Sequence, residues 1–244
     1  MHMSSNIKML EIESNIMGQA IFIHPTLIWD QEMAVLVDTG YPGQREQFLK
    51  SFDPYNIPPE FLRKIIITHH DIDHIGSLPA FVSESPQKIE VLANALEKPH
   101  IQGEKGLLKL TEEALAKIDM LPEQWRNSLK PILLNPPNEK VDKIVTDEEE
   151  LPYCGGIIVI NTPGHTPGHI SLYHKQSKTL IAGDALIVEN GQLLGPDPEH
   201  TMNMDLALQS LKKFTTFDIE TVICYHGGLY NVNVNKRITE LTLS

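Results

Sequence analysis

Short apolar runs, each closed by a polar cluster, recur along this chain and predict its elements. Residues 20–30 read as a strand and 33–37 as a second, with Asp30-Gln31-Glu32 turning between them. The second run delivers Asp38-Thr39-Gly40. A helix is then predicted over about 44–52, with Phe48, Leu49 and Phe52 on one face. Pro54, Pro58 and Pro59 break the chain before Lys64-Ile65-Ile66-Ile67, whose continuous apolar character is that of a buried strand. A short helix within 75–82 and a strand over 88–93 follow. Strands resume at 141–145 and 155–160, and 170–174 pairs with 179–183 as a hairpin. A helix over about 203–214, a last strand over 221–225 and a closing helix from Asn233 complete the pattern. From 94 to about 140 the spacing turns helical (Leu107, Leu108, Leu110, Leu115, Ile118) between proline-rich ends. That stretch reads as a helical cap inserted into a single domain spanning 1–244, its apolar residues serving packing. No solenoid period or low-complexity tract is present.

The polar closures carry the chemistry. Thr68-His69-His70-Asp71-Ile72-Asp73-His74 places three imidazoles and two carboxylates in six consecutive positions at a strand end. Imidazole nitrogens and carboxylate oxygens together are ligands for zinc, iron or manganese. Two Pro-Gly dipeptides in Thr162-Pro163-Gly164-His165-Thr166-Pro167-Gly168 fix a tight loop that presents His165. Five apolar runs thus end in ligand-type side chains: Asp38, the 69–74 cluster, His165, Asp184 and His226. With their strand ends gathered at one sheet edge, His69, Asp71, Asp73, His74, His165, Asp184 and His226 suffice for two metal ions. A carboxylate such as Asp184, with two oxygens, can bridge them. Asp38 is either a plain turn residue carrying a cap or the group that orients a ligating histidine. His24, His100, His169, His174 and His200 read as surface or loop residues, with His100 and His169 the two to watch as pocket-lining.

Composition narrows the partners. The chain has 244 residues and a net charge of −12, which disfavours nucleic acid and anionic membrane surfaces and leaves a small-molecule substrate. No stretch approaches the ~20 apolar residues of a membrane span. The start lacks a basic region followed by an apolar run, so no secretory signal is expected, and Met1-His2-Met3 carries no weight. Cys154 and Cys224 are too few for a disulfide framework and fit a reducing cytoplasm. The oligomeric state stays open.

Taken with Asp38-Thr39-Gly40, Gly183-Asp184 and His226-Gly227-Gly228, the 68–74 and 162–168 motifs resemble those of the metallo-β-lactamase-fold hydrolases, in family order over roughly residues 20–230. The resemblance implies an α/β fold, a four-layer αβ/βα sandwich, with two divalent ions at one edge of its two sheets. Zinc is the usual ion, with iron and manganese as alternatives. It implies His69, Asp71 and His165 for the first ion, Asp73, His74 and His226 for the second, and Asp184 between them. The family usually has histidine where Asp71 stands, and His70 occupies a variable position. Asp71 is the expected ligand, since carboxylate oxygen binds zinc at about the same distance as imidazole, and it makes the site harder. His70 swinging in is the alternative. The mechanism implied is hydrolysis of a small ester, lactone or thioester by a metal-bound hydroxide, with Asp73 as the catalytic proton carrier. A glyoxalase II of the long kind is not expected, because only 18 residues follow His226. A mononuclear iron persulfide dioxygenase and a β-lactam hydrolase are the alternatives.

Overall fold

The computed structural model describes residues 5–243, so Met1-His2-Met3 lies outside them. The first half runs β1 (Asn6–Met9), β2 (Ile12–Ile16), β3 (Gln19–Ile23), β4 (Thr26–Trp29), β5 (Ala34–Val37), α1 (Arg45–Phe52), β6 (Leu62–Ile66), α2 (Ile72–Ile75), α3 (Leu78–Ser83) and β7 (Glu90–Asn94). It continues through α4 (Lys98–Ile101), α5 (Glu112–Asp119) and α6 (Glu123–Leu134) to β8 (Lys143–Val145). β2 and β3 pair with each other as a separate hairpin, and the other strands form a sheet in the order β1-β4-β5-β6-β7-β8, parallel from β5 to β8. The second half runs β9 (Glu150–Leu151), β10 (Ile157–Asn161), β11 (Ile170–His174), β12 (Thr179–Gly183), β13 (Ile187–Glu189), β14 (Gln192–Leu194), α7 (Met204–Leu211), β15 (Thr221–Cys224), β16 (Gly228–Tyr230) and α8 (Val234–Leu241). Its sheet has the order β16-β15-β12-β11-β10-β9.

Alternate residues of each central strand face different cores, which explains the unbroken apolar runs: a strand covered on both sides has no polar face. Leu36, Ile65 and Val91 pack with Phe48, Phe52 and Phe81 from α1 and α3. Their neighbours Val35, Val37, Ile66 and Leu92 point the other way, onto Val159, Leu172 and Ile181 of the second sheet. Leu180 and Ala182 then face Leu211, Phe214 and Ile238 under α7 and α8. Helices, sheet, sheet, helices: the four-layer αβ/βα sandwich expected from the resemblance is the one observed. Among the described residues no helix is long and apolar enough to cross a membrane.

Some elements differ from expectation. The predicted strand at 20–30 is two strands that part at His24-Pro25. Pro25 has no N–H to donate, and the His24 N–H goes to the Tyr225 carbonyl at 2.9 Å, tying the two sheets together. β1, β2 and the β13–β14 hairpin were not foreseen. The helical stretch after β7 is the connection between two adjacent parallel strands, β7 and β8. Its helices α5 and α6 contain no fully buried residue.

β5 and β6 are parallel, as are β12 and β15, while β10 is antiparallel to β11 and β11 to β12. The carboxyl ends of β10, β12 and β15 therefore share one direction, and the loops after them face those after β5 and β6.

Candidate metal centre

Asp38, directly after β5, is buried and takes up φ +62°, a backbone region that an Asp tolerates better than most residues. Its Oδ1 accepts from the Thr68 N–H at 2.8 Å and its Oδ2 from the Thr68 hydroxyl at 2.8 Å. The same Oδ2 lies 2.9 Å from His74 Nδ1. With Nδ1 held there, His74 turns Nε2 to the opposite side, 3.4 Å from Asp184 Oδ1 and 3.6 Å from Asp73 Oδ2. Asp71 stands at the start of the short helix α2 without capping it through its side chain, and Asp73 and His74 lie within the single turn that follows. Tyr225, just after β15, stacks on the His74 ring at 3.8 Å and donates its hydroxyl proton to the Asp73 carbonyl.

The remaining donors come from the other strand ends. His69 Nε2 lies 3.2 Å from Asp71 Oδ2, and His165 Nε2 lies 3.1 Å from that same oxygen. Asp184 Oδ2 is 3.2 Å from His165 Nε2 and 3.5 Å from His226 Nε2, and His226 Nε2 is 3.3 Å from Asp73 Oδ2. The donor atoms fall into three overlapping groups, each within 4.8 Å: His69, Asp71 and His165; His69, His74 and Asp184; and Asp73, His74 and His226. All seven residues named from the sequence as ligands thus meet, with Asp184 between the outer groups. Two glycines allow the approach. A Cβ on Gly227 (φ +88°) would stand 1.7 Å from the Val188 carbonyl of β13, and one on Gly183 (φ +56°) 2.7 Å from His169 Nε2.

His70 is turned away from this cluster. Its Nδ1 pairs with the Glu97 carboxylate, its Nε2 accepts from the Leu108 N–H at 3.3 Å, and its ring stacks on His100 at 4.4 Å. Asp71 is the residue of the two that faces the other donors. Glu97 was missed by the sequence reading. Fully buried, it accepts from the His70 N–H at 3.0 Å, the Thr166 hydroxyl at 2.8 Å and the Gly168 N–H at 2.7 Å, joining the 69–74 loop to the 165–169 loop. Lys109, also missed, reaches in from the β7–β8 connection. Its Nζ pairs with Asp71 Oδ2 and lies 2.7 Å from His165 Nε2.

The expectation of surface or loop positions for the lesser histidines is met only in part: His24 and His169 lie in loops, His100 in α4 and His174 in β11. His24, His100, His169 and His174 are buried, and of the five only His200 is exposed. Each buried ring has a hydrogen-bond partner; His169 Nε2 accepts from the Asp184 N–H at 3.0 Å and so positions that carboxylate. His24 Nδ1 and His174 Nε2 lie against the carbonyls of Tyr225 and Cys154.

The electrostatics ask for cations. Burial alone would lower the His74 pKa, yet Asp184, Asp73 and Asp38 raise it well above the imidazole range. For His226, too, burial is outweighed by Asp184 and Asp73, and its pKa is pushed up to about 10. Burial opposes the ionisation of Asp71 and Asp184, but the imidazoles around both, and Lys109 beside Asp71, hold them well below the carboxylate range. Burial, with His74 nearby, keeps His69 neutral, the form that binds metal. His69 Nε2, His74 Nε2 and Asp184 Oδ1 are buried without hydrogen-bond partners. Each such group costs roughly 1–3 kcal/mol if left unmatched. Their convergence, and the mix of imidazole and carboxylate donors, fit divalent cations. A cavity of about 420 Å³ opens beside this cluster, lined by Asp71, Asp73, His165, Asp184 and His226, with Tyr41, Ile187, Asp197 and His200 completing its wall. From Tyr41 a second, largely apolar groove of about 480 Å³ runs past Ile16, Pro42, Ile72, Leu129 and Leu133.

Comparison with known proteins places this geometry. A model of the metallo-beta-lactamase superfamily matches residues 20–226. The chain is 25% identical over 232 residues to the probable metallo-hydrolase YflN of Bacillus subtilis, covering 85% of this chain and 80% of that protein. It is 27% identical over 214 residues to the hydroxyacylglutathione hydrolase GloC of Haemophilus influenzae, covering 87% of this chain and 89% of that protein. Among solved structures, the metallo-beta-lactamase family protein TTHA1429 from Thermus thermophilus is similar with a TM-score of 0.70 at 20% identity, over 97% of this chain and 78% of that one. At that identity the likeness is one of fold.

Proposed function

The chain belongs to the metallo-beta-lactamase superfamily, whose members are typically metal-dependent hydrolases, and from that premise we propose that it hydrolyses a small ester, lactone or thioester. The observation that carries this reading is the convergence of seven imidazole and carboxylate donors at the strand ends, several of them buried and unpartnered, beside a cavity that Asp71, Asp73, His165, Asp184 and His226 line. Two divalent ions, zinc in the first instance and iron or manganese otherwise, would be held by His69, Asp71 and His165, and by Asp73, His74 and His226, with Asp184 shared. When bound, they supply Lewis acidity, polarising an acyl carbonyl and bringing water near neutrality in pKa.

The chain's own groups do the rest. Asp38 fixes the His74 ring through Nδ1, and His169 fixes Asp184 through its backbone N–H. Asp73, facing the cavity beside His226, takes the proton of the attacking water and returns it to the leaving oxygen or sulfur as the acyl bond breaks. Burial, reinforced by Asp73 and Asp184, raises the Tyr41 phenol far enough that it stays protonated and can donate to a substrate oxygen. The apolar groove on the far side of Tyr41 supports a substrate with an apolar arm. A thioester is as compatible as a lactone: GloC, a hydroxyacylglutathione hydrolase, is matched over 89% of its own length, so the short tail after His226 does not speak against that class. The net charge of −12 supports a small-molecule partner, and the free, buried Cys154 and Cys224 support a reducing compartment, read as the cytoplasm.

The test is a panel of lactones, esters, thioesters and β-lactams assayed on protein stripped of metal and on protein reloaded with a measured amount of zinc. Zinc-dependent hydrolysis of an ester, lactone or thioester is the expected result. Turnover that ignores the metal, or a loaded protein inert to the whole panel, overturns the reading.

A further inference from the structure

We propose that Lys109 is a built-in cation of the first donor group, an ammonium that stands among Asp71 and His165 and must withdraw when a divalent ion binds there. This rests on the reading of the cluster as a metal centre and says which of its parts is weak. Lys109 Nζ pairs with Asp71 Oδ2, the oxygen that also faces His69 at 3.2 Å and His165 at 3.1 Å. It lies 2.7 Å from His165 Nε2, a hydrogen-bond distance. An imidazole nitrogen has a single in-plane lone pair, so His165 Nε2 can accept from the ammonium or ligate a metal, and cannot do both. The two cations therefore compete for one atom.

This lysine is placed by the fold. Next to it, the Leu108 N–H donates to His70 Nε2, and Leu107 and Leu110 face Ala114, Ile118 and Leu133 in a small apolar pocket against Asp71 and Ile72. The backbone of the segment is thereby fastened to the loop that bears Asp71. The side chain, a quarter exposed, has a flexible stem along which to leave. Among the described residues no lysine or arginine pairs with Asp73, His74 or His226. The two outer groups are thus unequal: Asp73, His74 and His226 fill first, and the group containing Asp71 fills second, at the expense of the Lys109 contacts. Filling it frees the Leu107–Leu110 segment from one of its two polar links to the metal loop, so ion occupancy and the position of this wall of the pocket are coupled.

The experiment is a zinc titration of the metal-free full chain against a competing chromophoric chelator, for wild type, Lys109→Met and, as a charge control, Lys105→Met. Wild type should show one tighter and one weaker ion. Lys109→Met should strengthen the weaker one by roughly 10–100-fold, the equivalent of losing a charge-assisted hydrogen bond, while leaving the tighter one and the control unchanged. Amide exchange of wild type gives an independent readout: exchange over 105–110 should rise on going from one zinc equivalent to two. Equal constants in wild type and Lys109→Met, a weaker second ion in that variant, or exchange over 105–110 indifferent to the second equivalent each overturn the proposal. Zinc bound by none of the proteins overturns the metal-centre reading instead, which keeps the two failures apart.

Discussion

Removing the Glu97 carboxylate should be among the most damaging single changes outside the donor cluster. Glu97→Ala would strand the His70 N–H, the Gly168 N–H and the Thr166 hydroxyl, now bonded at 3.0, 2.7 and 2.8 Å, in a region without solvent. Breaking a buried, hydrogen-bonded carboxylate from one side costs about 3–5 kcal/mol, against a total domain stability of about 5–15 kcal/mol. Glu97→Gln is gentler, about 1–3 kcal/mol, because its carbonyl can still accept from Thr166 and Gly168 while its amide meets the His70 N–H donor to donor. Urea unfolding of metal-free protein measures both without ion affinity entering. The pH dependence has a definite sign. Burial tends to raise the Glu97 pKa, but His70, Thr166 and Gly168 bring it below the ordinary 4.5. A carboxyl depressed in the folded state stabilises at pH above its unfolded value and loses that contribution as pH falls through the folded one. The gap between wild type and Glu97→Gln should therefore be constant above about pH 5 and shrink below 4.5. A Glu97→Ala protein within about 0.5 kcal/mol of wild type, the range of ordinary surface changes, would refute the argument that this side chain ties the two loops together.

Three further outcomes are expected. Asp184→Ala should bring the stoichiometry down toward one ion by elemental analysis and abolish most turnover, and two tightly held ions in that variant would remove the shared role. Asp71→Ala should weaken the first ion by roughly 10–100-fold or more, Asp71→His should keep two, and His70→Ala should keep the ions yet lose stability through Glu97; metal lost from His70→Ala but kept by Asp71→Ala would reverse the assignment. Leu129→Ala, in the apolar groove beside Tyr41, should raise KM for substrates with an apolar arm and leave metal content alone, whereas loss of metal would show that α6 supports the core.

The strand ends were legible because a strand covered on both faces must be apolar throughout, so Lys64-Ile65-Ile66-Ile67 and its counterparts stand out, and the polar residue that follows each one is conspicuous. α1, α7 and α8 were legible from helical spacing. Lys109 was not. It looks like any lysine on a helical stretch, and its partners Asp71 and His165 lie 38 and 56 residues away. Glu97 follows β7 by three residues, yet it fell inside a stretch read as cap, and its value as a tie between loops depends on Thr166 and Gly168, far along the chain. The buried histidines were misread for a similar reason: a single His gives no sequence sign of the carbonyl that will satisfy it. The β13–β14 hairpin was overlooked despite its signal, since Asn190-Gly191, with φ of +50° and +73°, is the usual pair for a tight two-residue turn.

The departure at Asp71 and the presence of Lys109 make physical sense as two halves of one arrangement. A histidine at 71 would take from the Lys109 ammonium, which is only a quarter exposed, the carboxylate it pairs with. With aspartate there, the ammonium has a carboxylate partner, and that carboxylate, otherwise buried near Asp184 and Asp73, has a cation beside it whether or not a metal is bound. Ionised Asp71 is then supported by His69, His165 and Lys109 together. A harder, more anionic first group would be expected to hold a divalent ion more tightly by charge alone; the lysine opposes that gain by competing for His165 Nε2. The second group, built from Asp73, His74 and His226 around the Asp38-oriented ring, has no such competitor among the described residues and is braced by Tyr225 from the far sheet. The asymmetry between the two halves of the site follows from these contacts.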